Sequence, residues 1–322
     1  MKTSLAAGRY STYSVAHIVA AILAVASVAA GSSARAITYE LVTVGNPGNA
    51  NDPATGNVYG GVAYEYQIGK YDVTIGQYTA FLNAVAQTDA YSLFNANMAN
   101  ELNIAGISQA GSSGAYTYSV IGPSGATPPG ASSPANRPIT YVSWWDAARF
   151  SNWMANGQPT GAQGPTTTED GAYNVNGVTS GGAVVRNAIN PNTGAAPTFY
   201  IPLENEWYKA AYYSPVKGGA GFPGYYTYAT QSDTTPGNTI GSGANQANYS
   251  NLVYAVTQSS IFSPGQNYLT DVGAFTGSES FYGTFDQTGN VFQWNDMDGS
   301  ADSGRGMRWT PIVGQSGALF KV

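Results

Sequence analysis

No cysteine occurs among the 322 residues of this chain, although 40 are glycine and 17 are proline. A chain so rich in turn-forming residues cannot staple its loops with disulfides, so its stability must come from core burial, loop packing or a bound cation. Only 9% of the residues are charged, while tyrosine occurs 24 times. This composition predicts an irregular, loop-rich fold whose surface is built from Tyr, Asn, Ser and Thr, side chains that pack and hydrogen-bond without charge. The available chemistry narrows as well, because His17 is the only histidine. Once the N-terminal segment that carries His17 is removed, the mature chain has neither thiol nor imidazole and cannot run a Ser-His-Asp or Cys-His mechanism. It also offers no soft or imidazole ligand set for copper, zinc or non-haem iron.

His17 itself lies in a segment expected to be removed. Lys2 and Arg9 precede an apolar run over 18–30, and Ala34-Arg35-Ala36 forms a small-x-small site for cleavage before Ile37. This is the pattern of a secretory signal peptide over 1–36. The run falls short of the roughly 20 residues that span a bilayer, and no second run of this kind follows. The mature chain is therefore expected to be secreted, periplasmic or held at the cell surface, with no transmembrane segment. The formal net charge is −6, and loss of Lys2, Arg9 and Arg35 makes it more negative. Nucleic acid and anionic membranes should repel such a chain.

Periodicity sketches the elements. Residues 37–44 alternate as a strand does, and 64–73 form a second β candidate. Thr74 with Gln77 three residues on has capping-box spacing, and Tyr78, Phe81, Leu82 and Val85 then share a helical face. Residues 106–138 are rich in Gly, Ser, Pro and Ala, but 115–120 alternate, which predicts a hairpin with a long surface loop. Ser143 and Asp146 repeat the capping spacing ahead of a second, largely apolar helix that ends near Asn156-Gly157. A polar, glycine-rich insert covers 157–197. A third helix is expected over 204–213, with Leu203 at its cap position where no side-chain oxygen is available, a deficit of about 1 kcal/mol. Taken alone, these elements say α+β.

Three tracts carry more. They are Tyr141-Val142-Ser143-Trp144-Trp145-Asp146-Ala147, Ile201-Pro202-Leu203-Glu204-Asn205-Glu206-Trp207 and Phe285-Asp286-Gln287-Thr288-Gly289-Asn290-Val291-Phe292-Gln293-Trp294. In order and content they resemble the V-x-W-x-D-A, L-P-T-E-A-E-W and G-N-V-W-E-W motifs of the formylglycine-generating enzyme, or sulfatase-modifying factor, family. Residues 68–82 likewise resemble the family's I-G-K-Y-x-V-T strand and following helix. The resemblance implies an elaborated C-type-lectin-like α+β fold with small twisted sheets and much irregular structure. It places the domain at 37–309, C-terminally incomplete, followed by a non-family tail at 310–322. After Gly304-Arg305-Gly306-Met307-Arg308-Trp309 the family pattern stops, which we read as a reading-frame shift near Arg308.

The family's copper-dependent enzymes oxidise with a cysteine pair, and its sulfoxide synthases hold iron through histidines. Neither ligand set exists here, so no copper or iron is expected. Calcium suits the residues better, since it takes six to eight hard oxygens. The resemblance places one calcium on Asp286, the Gly289 and Val291 carbonyls and Gln293, where Gln293 replaces the usual Glu and removes a negative charge. A second family site matches Asn248 and Tyr249 but finds no acidic partner over 263–268. Glu204 and Glu206 form a carboxylate pair, yet a spacing of two points them apart on a helix, and Glu206 reads as a brace for a loop. The acidic run 295–302 reads as a solvated turn.

The leading expectation is an exported, non-catalytic, calcium-stabilised module with a protein or glycan ligand. One alternative is a sulfatase-modifying-factor-type oxidoreductase whose metal ligands lie in a missing C-terminal segment. The other is a carbohydrate-binding lectin-like module using Tyr212, Tyr213, Tyr225, Tyr226, Tyr228, Tyr249, Trp144 or Trp145.

Overall fold

In the computed structural model the helix expected after Thr74 runs Ile75–Val85 (α1). The structure describes residues 36–296 except 123, 124, 126, 182 and 183, together with the backbone of Arg305–Arg308 and Ala318–Phe320. The expected leader, Ala36 apart, and the tail, Ala318–Phe320 apart, lie outside the described residues. Thr74 Oγ1 accepts from the Gln77 amide at 3.2 Å, and Gln77 Oε1 accepts from the Thr74 amide at 2.9 Å, so both halves of the capping box form. α2 is the single turn Asn97–Asn100. Ser143 and Asp146 repeat the device at the start of α3 (Trp144–Ala155), which ends at Asn156 as the sequence predicts.

α1 and α3 meet through aromatic rings. The Phe81 ring lies 5.3 Å from Phe150 and 5.2 Å from Trp153, centroid to centroid, and Tyr78 packs beside them. Trp144 and Trp145 are buried in the same cluster, together with Ile201, Leu269 and Val291. Each such side chain contributes about 1.5–3 kcal/mol by leaving water. This core does the work that disulfides do in other loop-rich folds.

The sheets are small. β1 (Leu41–Val44) pairs antiparallel with β2 (Tyr66–Gly69), shorter than the alternation over 37–44 and 64–73 predicts because the ladder spans only the register Leu41↔Gly69 to Val44↔Tyr66. β3 (Ile107–Ala110) and β4 (Thr117–Val120) form the expected hairpin. α4 (Glu204–Tyr212) leads into β5 (Tyr213–Ser214), which pairs with β6 (Gly224–Tyr225). β7 (Phe292–Asp296) lies between β8 (Arg305–Arg308), antiparallel, and β9 (Ala318–Phe320), parallel.

Inside the insert 157–197 a buried ion pair takes the place of regular structure. Arg149 of α3 grips Glu169 with two bonds, Nε to Oε1 at 2.8 Å and Nη2 to Oε2 at 2.9 Å. Glu169 also accepts from the Thr168 hydroxyl and the Gly177 amide. One expectation is corrected at the other end of the fold. Asp296, read as part of a solvated turn, is fully buried at the end of β7, where the Tyr173 hydroxyl and Arg186 face it. Residues 297–302 of that run lie outside the described residues.

Candidate metal centre and the clefts beside it

The loop that matches the first calcium site winds tightly because three of its residues are left-handed: Asp286 at φ 59°, Gly289 at 93° and Asn290 at 64°. Glycine is required at 289 on a second count, since a Cβ there would sit 2.3 Å from the Asn248 carbonyl oxygen. Asp286 Oδ2 accepts from the Gly273 amide at 2.7 Å. The Gly289 carbonyl accepts from the Val291 amide at 2.9 Å. Gln293, at the start of β7, closes the loop by donating from Nε2 to the Asp286 carbonyl at 2.8 Å, while its Oε1 accepts from Trp207 Nε1 at 2.7 Å. The structure therefore joins Asp286 to Gln293 directly and ties both to α4.

The residues of the second expected site converge on the same loop. Asn248 Nδ2 donates to Asn290 Oδ1 at 2.9 Å and to the Tyr268 carbonyl at 3.0 Å, and the Asn248 carbonyl accepts from the Asn290 amide at 2.8 Å. Tyr249 turns away, with its hydroxyl on the Pro236 carbonyl. Asn290, which the sequence reading passed over, is the hub that connects the two tracts. Its own letter in the motif was visible, but its partner stands 42 residues upstream.

The donor set is hard oxygen: one carboxylate, one amide and two backbone carbonyls. Such donors match calcium in kind, though they number four against the six to eight it takes and carry a single charge. No group of three or more His, Cys, Asp or Glu side chains placed to hold a metal occurs among the described residues. Beside Asp286 lies a cavity of about 10 Å³, bordered by Thr230, Thr284 and Gln287, which is room for about one water-sized particle.

Glu206 sits on the first turn of α4 and forms the carboxylate half of a capping box, while the other half, a cap oxygen for the helix amides, is missing because Leu203 has none. Its Oε2 accepts from the Leu203 amide at 2.6 Å, and its Oε1 accepts from the Tyr64 hydroxyl at 2.8 Å. Arg186 completes the group, with Nη2 3.5 Å from Glu206 and its guanidinium 4.6 Å from the centre of the Tyr200 ring. These residues floor a cleft of about 430 Å³ between β2 and the chain around Phe199. Burial, reinforced by the Glu206 charge, pushes the Tyr64 hydroxyl well above its usual range. Glu204 faces away from Glu206 and accepts from Asn295 Nδ2. Both glutamates thus brace the fold.

Farther along α4, Lys209 is buried with its ammonium on the Asn46 carbonyl at 2.8 Å. Desolvation by burial lowers its pKa from 10.5 to about 8.

The three motif tracts meet in space. Trp294 Nε1 donates to the Val142 carbonyl at 2.9 Å, Trp207 Nε1 reaches Gln293, and the Asp296 amide donates to the Pro202 carbonyl at 2.8 Å. The profile of the sulfatase-modifying factor enzyme 1-like domain family matches residues 45–311, and the chain belongs to this family. Its α+β architecture of short helices and small sheets is the family's fold. No curated protein sequence matches it. Among solved structures, the crystal structure of CarF is similar at 20% identity and a TM-score of 0.42, over 89% of this chain and 98% of that one. Treponema denticola variable protein 1 is similar at 15% identity and a TM-score of 0.39, over 89% and 95% of the two chains. No helix among the described residues is long and apolar enough to cross a membrane.

Proposed function

We propose that this chain is an exported, non-catalytic member of the family that serves as a calcium-steadied binding or surface-structural module. The observation that carries the reading is chemical: the family domain contains no thiol and no imidazole, since cysteine is absent and His17 lies outside it. The family's redox chemistry at copper or iron needs one or the other. Oxygen donors remain, and four of them belong to the loop 286–293, which is left-handed at Asp286, Gly289 and Asn290. Asp286, the Gly289 and Val291 carbonyls and Gln293 would hold calcium, whose role is to tie the loop to α4 and β7. A second calcium on Asn248 and Tyr249 would be the weaker one, since the Asn248 carbonyl already accepts from the Asn290 amide and the Tyr249 hydroxyl is turned to Pro236. The export reading rests on residues 1–36, the domain on 37–309.

A cysteine-containing peptide incubated with the purified full chain and copper(I) tests the non-catalytic reading. We expect no aldehyde on hydrazide trapping. Turnover to the aldehyde would overturn the reading in favour of an oxidoreductase that draws its metal ligands from elsewhere.

A further inference from the structure

The loop 46–53 and the β5–β6 pair enclose a cavity of about 550 Å³ whose lining contains no charged side chain; Asn46, Pro47, Asn49, Tyr213, Pro223 and Tyr225 form most of its wall. Its frame is fixed by hydrogen bonds. Asn49 Nδ2 donates to the Tyr225 hydroxyl at 2.6 Å and to the Gly60 carbonyl at 2.7 Å, and the Tyr225 hydroxyl donates to the Ala50 carbonyl at 2.7 Å. Tyr213 and Tyr225 are register partners across β5 and β6, with ring centroids 5.1 Å apart and planes at 62°. Asn46 is held from two sides: its carbonyl receives the Lys209 ammonium, and its Oδ1 receives the Tyr282 hydroxyl at 3.0 Å.

Two donors are left over. Among the described residues, neither the Tyr213 hydroxyl nor Asn46 Nδ2 makes a hydrogen bond; Asn46 is an exposed residue, and the Tyr213 hydroxyl keeps an edge on solvent although the residue as a whole is buried. A rigid frame that presents aromatic rings, proline faces and two uncommitted donors is matched to a particular chemistry. A charged ligand would be desolvated without a countercharge. Two ammoniums border the wall and both are committed: Lys209 to the Asn46 carbonyl at 2.8 Å, and Lys217 to Asp233 at 2.9 Å and the Tyr225 carbonyl. A hydrocarbon would leave the phenol and amide donors buried and unpaired, which is unfavourable by about 1–3 kcal/mol each. A neutral sugar satisfies both demands, with C–H faces against the rings and prolines and hydroxyl oxygens accepting from the phenol and the amide.

We propose that this cavity is a calcium-independent site for a neutral saccharide. It rests on the reading of the domain as a binding module but not on the cation loop, because no carboxylate lines the cavity. Tyr213 and Asn46 set the hydroxyl contacts, and Tyr225 supplies the stacking wall. The volume accommodates one or two sugar residues at a time, so affinity should be modest and should grow with repeated units along a polymer.

Calorimetric titration of the full chain in excess chelator tests this, using cellohexaose, xylohexaose, laminarihexaose and mannohexaose as neutral probes and polygalacturonate as the acidic one. At least one neutral probe should bind, and polygalacturonate should not. Tyr213→Phe removes a single oxygen, and Asn46→Asp deletes the amide donor while keeping an acceptor for Tyr282 and tolerating the left-handed backbone. Each should weaken binding about tenfold while the melting temperature stays within about 3 °C of the parent, roughly 1 kcal/mol. Absence of binding to all four neutral probes at about 1 mM, the weak end of measurable affinity, would overturn the proposal. So would binding that neither variant weakens, or binding of polygalacturonate alone. A chain that ignores the sugars yet gains thermal stability from calcium would overturn this site and leave the module reading standing. Aldehyde formation would overturn the module reading independently.

Discussion

Gln293 shows how a single residue sets the balance between a cation and a hydrogen bond. Its amide donates to the Asp286 carbonyl and accepts from Trp207, so the neutral side chain closes the loop by itself. Gln293→Glu restores a charge for calcium but removes the donor to Asp286. In chelator this variant should lose about 1–3 kcal/mol, and added calcium should return it to the parent melting temperature or above; denaturant melts with and without calcium measure both. Asp146, at the start of α3, gives a second test. Burial raises its carboxyl pKa from 3.8 to about 7, against the pull of two bonds from Ser143. The folded state then holds a proton that the unfolded state has lost, so this contribution is fully present below about 4 and disappears as pH rises through about 7. Asp146→Asn removes the titration, and the decline in stability across that window should flatten when melting is followed against pH.

Among the elements, α4 ties the architecture together: its Trp207 donates to Gln293 of β7, and Glu204 on its buried acidic first turn accepts from Asn295 of the same strand. Glu206 accepts from the Leu203 amide, which fixes the entry to the helix although no cap oxygen stands at its N-terminus. The insert 157–197 is held instead by the Arg149–Glu169 pair at one end, by Arg186 on Glu206 and Asp296 at the other, and by Asn152 and Asn156 of the α3 end. Glu169→Gln leaves the buried Arg149 without its countercharge and should be destabilising by about 3–5 kcal/mol, with hydrogen exchange rising first over 167–178. The helices were legible in the sequence because capping and periodicity act locally: Thr74 with Gln77 and Ser143 with Asp146 fixed both starts. The Arg149–Glu169 pair was not legible, since its members stand 20 positions apart and the chain between them leaves α3 for an irregular loop. Asn290 and Arg186 were hidden for the same reason, each acting on partners that only folding brings near. Asp296 was misread because acidic residues beside glycine look like a surface turn until Tyr173 and Arg186 close over them.

For the whole molecule, tyrosine replaces both disulfides and charge, and this leaves a signature in alkali. Burial raises the hydroxyl pKa of Tyr66, Tyr78 and Tyr173, and raises that of Tyr212 to about 12. The folded state keeps protons that the unfolded chain releases near 10, so stability should fall steeply as pH rises past about 10. Lys209 works the other way between about 8 and 10.5, where only the unfolded chain is fully protonated, so stability should climb gently first. Lys209→Met should erase the climb and leave the fall, as denaturant midpoints from pH 7 to 11 would show.

The central proposal is a family fold that holds a hard cation through oxygen ligands and lacks the thiol and imidazole ligands of redox metals. Melting of the chelator-stripped full chain during parallel titrations with calcium and copper(I) tests it most directly. At about 100 times its dissociation constant, calcium should add about 2.7 kcal/mol and raise the midpoint by roughly 5–10 °C, whereas copper(I) should produce no saturable shift. A saturable rise at one equivalent of copper(I), with calcium inert, would contradict the account.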